Sequence, residues 1–140
     1  MKIKELQKKI ADALNGCEEL VQGSCKALVE DSMTVALDIQ KHLQTVKGVA
    51  LVVTTPALTR DGACDGISVE AALTVQCVEI PEMNRRQPGH ITALAAAEIV
   101  AHLLDSRQIS FMRMSQSADP LTRSIIVNVD FNLTINLTTK

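Results

Sequence analysis

The chain ends in a run that leaves little conformational choice. Ile125, Val127, Val129, Phe131, Leu133, Ile135 and Leu137 alternate with mostly Asn, Asp and Thr. Successive side chains of an extended backbone point to opposite faces, so this pattern puts every apolar residue on one face of a strand. The run covers about 40 Å at about 3.3 Å per residue, whereas a common strand has about five or six residues. A second run of the same kind precedes it, with Ile67, Val69, Ala71, Leu73, Val75 and Cys77 alternating with Ser68, Glu70, Ala72, Thr74 and Gln76. At Val78 and Ile80 the apolar set moves to the other parity, which predicts a bulge or a crossing into a second environment, and Pro81 limits the strand. Two strands this long in 140 residues are expected to project beyond a small body. An apolar face on a projecting hairpin must be covered, and another copy of the chain is the simplest cover.

The remaining segments supply helices and shorter strands. Ile3, Leu6, Ile10, Ala13 and Leu14 recur at helical spacing and Asn15-Gly16 stops them, which predicts a helix over 2–14. Residues 17–23 read as irregular and 26–30 as a short strand. A helix over 32–46 is capped by Asp31 or Ser32, buries Val35, Ile39, Leu43 and Val46, and ends at Gly48. The β-branched run Val49–Thr55, stopped by Pro56, predicts a strand covered on both faces. Residues 57–66 and 82–89 read as loops. Between 90 and 104 a helix presents Ala93, Ala96, Ala97, Val100, Leu103 and Leu104 to the core, with Glu98, His102 and Asp105 on its wet side. A strand over 109–114 and a turn region over 115–124 complete the chain. The expected fold is α+β in a single domain over 1–140. Its sheet is mixed or antiparallel with four to five strands, two of them long, and about three helices lie mainly on one face.

Composition removes several function classes. A net charge of −2 and a pI near 5.9 give no general electrostatic case for nucleic acid or an anionic membrane. With no Trp, no Tyr and two Phe, stacking platforms for bases, sugars or flat cofactors are not expected. No apolar stretch reaches the roughly 20 residues of a membrane helix. Met1-Lys2-Ile3-Lys4-Glu5 opens directly into a charged amphipathic pattern without an apolar signal-peptide region, so a reducing cytosol is the expected compartment. Cys17, Cys25, Cys64 and Cys77 are too widely spaced for CxxC chemistry. Cys77 reads as a buried small hydrophobe. Cys17 and Cys25 flank a short loop where a pairing is conceivable, but the compartment argues for free thiols.

Candidate chemistry is sparse. His42, His90 and His102 form no paired metal-ligand spacing. His102 with Glu98 is better read as a solvated helix face than as a metal site. Asp61 and Asp65 flank Gly62-Ala63-Cys64 without the spacing or terminal Glu of a calcium loop, so turn chemistry accounts for them. Neither Ser24-Cys25 nor Cys64 sits in a nucleophile motif, and phosphate-binding glycine motifs are absent. No cofactor and no metal is expected. Arg85-Arg86 beside Asn84 is the best electrostatic candidate for gripping a phosphate or an acidic partner surface; the plainer reading is a solubilising loop. The sequons at Asn132 and Asn136 read as the polar face of the last strand.

The opening helix KIKELQKKIADAL, the strand GVALVVTTP, the long strand ISVEAALTVQCVEIP leading through NRR to the helix HITALAAAEIVAHLL, and the closing strand SIIVNVDFNLTINL form a layout. It resembles that of the tail-terminator and tail-completion proteins of long-tailed bacteriophages and related prophages. The resemblance covers most of the chain and implies a structural protein rather than an enzyme. Such proteins assemble as rings, commonly hexameric, on the end of the tail tube, where they stop tube growth and meet the head-side connector. It also implies assembly in the host cytoplasm and residence in the virion tail. Interface contacts are expected at Arg60, Asp61 and Asp65 in the first loop and at Asn84, Arg85 and Arg86 in the second. Val129, Phe131, Leu133 and Ile135 of the last strand are expected to join them. Two rivals remain. One is a small α+β ligand-binding or enzymatic domain using Asp61, Asp65, Arg85 and Arg86 in a common pocket. The other is a dimeric adaptor that shares its last strand with a partner.

Overall fold

The two alternating runs pair with each other. A computed structural model describes residues 3–30, 48–60, 68–86, 89–121 and 123–136. In chain order the elements are α1 (Ile3–Asn15), α2 (Glu18–Gln22), β1 (Cys25–Val29), β2 (Val49–Val53), β3 (Ala57–Arg60) and β4 (Ser68–Glu79). They continue with α3 (Pro81–Asn84), α4 (Ala93–Leu104), β5 (Ile109–Asp119) and β6 (Ser124–Asn136). β4 and β6 run antiparallel in one unbroken register from Ser68 opposite Asn136 to Glu79 opposite Ile125. The sheet order is β1-β2-β4-β6-β5, with β3 also beside β4. β1 and β2 are parallel and the other pairs antiparallel, so the fold is α+β with a mixed sheet of six strands.

The sixth strand is β3, where the sequence predicts a loop over 57–66. β4 is twice the length of a common strand, so one of its edges accommodates two short strands in series. β2 pairs with Val75–Glu79 and β3 with Val69–Ala72. Pro56 ends β2, and Thr54 bridges the step by donating both its N–H (3.0 Å) and its hydroxyl (2.7 Å) to the Thr74 carbonyl.

Other boundaries differ too. The irregular stretch after α1 contains α2, and the polar loop after β4 begins with the single turn α3, started by Pro81 at a position where a missing N–H is harmless. β5 continues to Asp119 instead of stopping at 114, which shrinks the turn region. Its second half, Ser115–Ala118, lacks apolar alternation because an edge strand needs only its backbone bonds to β6. The helix expected over 32–46 lies outside the described residues.

One face of the sheet carries the core. Leu6, Ile10 and Leu14 of α1 and Ala93, Ala96, Ala97 and Val100 of α4 share a cluster with Leu73, Val75, Cys77, Val127, Val129 and Phe131. The alanines bring α4 close to β4 and β6. Among the described residues, Val69, Ala71, Leu73, Val75 and Cys77 of β4 and Val127, Val129, Phe131 and Leu133 of β6 are therefore covered within the chain. Every β2 residue is buried, and Ala50 and Val52 lie outside that cluster, as a strand covered on both faces requires.

The parity switch near Val78 is not a bulge. Burial alternates straight through Val75, Cys77 and Glu79, so the inward position is occupied by a carboxylate. The bulge in the sheet lies in β5, between Phe111 and Arg113.

Candidate functional site

Glu79 is only 4% exposed, and its burial is compensated by two donors. Oε1 accepts the Ala93 N–H at 2.8 Å and Oε2 accepts Asn84 Nδ2 at 2.6 Å. Asn84 Nδ2 also donates to the Ile91 carbonyl at 2.7 Å. The carboxylate thus sits at the positive end of α4, where free backbone N–H groups and the helix dipole favour an anion. Asn84 is 1% exposed. It is a buried clasp between β4 and the start of α4. The apolar shift at Val78 and Ile80 was the signal for this inward Glu.

Arg85 and Arg86 do reach the surface, just beyond α3. Arg123 of the β5–β6 turn lies at the same end, 3.8 Å from Glu82. Arg60 is elsewhere. It pairs with Val69 while α3 follows Glu79, and those ten positions of β4 span about 34 Å at about 3.4 Å per residue. The structure therefore does not bring Arg60 together with Arg85 and Arg86. Asp61, Asp65 and the Ile135 side chain lie outside the described residues. Val129, Phe131 and Leu133, expected at a subunit contact, are buried in the core of their own chain. The outward positions of β6 from 126 to 134 are Ile126, Asn128, Asp130, Asn132 and Thr134.

That outward face carries one charged network. Asp130 accepts the Thr74 hydroxyl at 2.6 Å and Arg113 Nε at 2.8 Å. Partial burial opposes ionisation of Asp130, but the Thr74 hydrogen bond and the Arg113 guanidinium outweigh it and hold the carboxyl below its ordinary range.

Two depressions flank α4, one toward α2 and one toward β5. A groove of about 450 Å³ is lined by Cys17, Glu19, Glu98, Ile99, His102 and Leu103. A second depression of about 250 Å³ shares Glu98 and His102 and adds Ala101, Asp105, Phe111 and Met114. Its floor is apolar and its rim acidic. Cys17, Cys25 and Cys77 are free thiols. Burial, with smaller contributions from Glu79 and Cys17, pushes Cys25 up to about 12, and burial raises Cys77 as well. Neither is a thiolate near neutrality, so neither is a ready nucleophile. Among the described residues no group of three or more His, Cys, Asp or Glu is placed to share a metal ion, and no helix is long and apolar enough to cross a membrane.

No family model and no curated protein matches the sequence. Among solved structures, the chain is similar to one described as "Virion of native gene transfer agent (GTA) particle", with a TM-score of 0.64 and 13% identity. The match covers 96% of this chain and 97% of that one. At that identity the likeness is one of fold, and it extends over nearly the whole of both chains.

Proposed function

We propose that this protein is a structural virion subunit that forms a ring on the end of a phage-type tail tube. There it terminates tube growth and joins the tail to the head-side connector. The observation that carries this reading is the nearly end-to-end fold likeness to a chain of a gene transfer agent virion. The chemistry of the molecule agrees with it. The buried Glu79 and Asn84 hold α4 to β4, and the buried thiols are protonated. The partners are then further copies of the chain, the tail tube and the connector. Assembly takes place in the host cytoplasm and the product resides in the virion tail.

The test is to add the purified protein to growing tail tubes and to image their ends. Capped tubes of uniform length, with the protein at one end, are expected. Tubes that elongate unchecked with no bound protein would overturn the reading. A stable dimer that exchanges strands would favour the adaptor instead.

A further inference from the structure

We infer that successive copies meet head to tail: the arginine-flanked Leu121 turn of one copy enters the acid-rimmed groove between α4 and β5 of the next. This rests on the ring reading and names the two surfaces that would build it.

The inserting surface lies at the turn between β5 and β6. Leu121 is 94% exposed, the most exposed large apolar side chain among the described residues. A lone exposed leucine is ordinary; its setting is what distinguishes this one. Asp119 Oδ1 accepts the Leu121 N–H at 3.0 Å, which shapes the turn before any partner arrives. Arg123 follows in the same turn and leans on Glu82 of α3, and Arg85 and Arg86 extend from α3 at that end of the sheet. The apolar knob thus stands at the end of the sheet that carries the exposed Arg85, Arg86 and Arg123, with Glu82 and Asp119 among them.

The receiving surface has the opposite signs. Phe111, 39% exposed, lies with Ala101 and Met114 in the depression between α4 and β5, and Leu103, 44% exposed, lines the adjoining groove on the α2 side of α4. Glu98 and Asp105 rim the depression on either side of His102, and Glu19 lies in the adjoining groove. An apolar floor with two carboxylates suits an apolar knob at the arginine-bearing end of the sheet, since desolvated contacts give the affinity and complementary charge gives register. The backbone beside the groove is also open. β5 ends the sheet order and pairs, among the described residues, with β6 alone. The opposite edge is fastened instead: Asn15 accepts the Ala27 N–H at 2.9 Å and donates to the Ala27 carbonyl at 3.1 Å. Knob and groove lie at different places on one chain, so the contact is heterologous, and repetition closes a ring or continues as a filament.

The test uses the full chain with Leu121→Glu as a knob variant and Glu98→Arg with Asp105→Arg as a groove variant. Thermal melts first establish that both remain folded. Light scattering over a concentration series should show assembly of the unmodified protein and a dissociation constant raised about tenfold or more in each variant. An equimolar mixture of the two variants should form a one-to-one pair and nothing larger, because one intact knob meets one intact groove. Combining Arg85→Glu and Arg86→Glu with the groove substitutions should recover assembly. Unchanged assembly in both folded variants, or an unmodified protein that stays monomeric throughout, overturns the contact. The tube-capping experiment reads separately. Capping by a protein whose assembly ignores these substitutions sinks the contact and spares the function; variant-sensitive assembly without capping does the reverse.

Discussion

The carboxylate of Glu79 accepts the backbone N–H of Ala93 at 2.8 Å, which joins the last residue of β4 to the first residue of α4. Asn84 holds the other oxygen, so the turn between the two elements is closed around one buried anion. Replacing Glu79 by Gln turns one of its two acceptors into a donor facing a donor. Glu79→Gln should lower stability by about 1–3 kcal/mol in urea unfolding. An unchanged midpoint would mean that the clasp contributes nothing.

Asp130 supplies a pH dependence whose sign follows from its partners. Its folded carboxyl is held below the ordinary value of 3.8 by Thr74 and Arg113, against the opposing effect of partial burial. The resulting stability is present above that value and is lost as the pH falls through the lowered folded one. The difference in unfolding free energy between the unmodified protein and Asp130→Asn should be constant at higher pH and shrink below pH 3.8. A difference that grows on acidification contradicts the network.

At Gly48 there is no room for a side chain. A Cβ there would fall on the Ser24 carbonyl oxygen, which accepts the Val49 N–H at 3.1 Å. Gly48→Ala must therefore pry apart the paired starts of β1 and β2, at Cys25 and Val49. The expected loss is about 3 kcal/mol or more. A fully stable Ala variant would show that this approach is not as close as described.

Thiol reactivity should follow burial. With Cys25 near 12, roughly one molecule in ten thousand carries its thiolate at pH 8, and access is blocked as well. Peptide mass spectrometry after alkylation of the native protein should find Cys25 and Cys77 unmodified and Cys17 labelled. All should react in denaturant. Rapid native labelling of Cys77 would place it outside the core.

Val129 and the arginine pair should behave oppositely. Val129→Asp buries a charge between β6 and α4 and should abolish folding in circular dichroism. Arg85→Ala with Arg86→Ala should shift unfolding by no more than about 0.5 kcal/mol, since both side chains are exposed. A large loss of stability in that double variant would give the pair a role within the fold.

Much of the framework was legible in local patterns. Period two in 67–77 and 125–137 announced β4 and β6, and the alanine stripe announced α4 and its close approach to a sheet. β3 was not legible, because its four residues form a strand only where β4 offers a free stretch of edge. β5 was read too short, because Ser115–Ala118 gain their conformation from pairing with β6 and not from burial. Asn84 adjoins the arginines in sequence, yet its side chain lies in the interior because Glu79 and the Ile91 carbonyl both accept its amide N–H groups.

The sequence by itself determined which residues face the core, because the alternation of side chains along a strand and their recurrence along a helix are properties of the backbone. Only the tertiary structure decided what covers that core and what remains uncovered. α1 and α4 share one core with the apolar faces of β4 and β6, so Val129, Phe131 and Leu133 are buried within the chain. Beside α4, Phe111 lies in an open depression rimmed by Glu98 and Asp105. Pairing order and layer width are long-range outcomes, set by which surfaces remain after the strongest apolar faces have been matched.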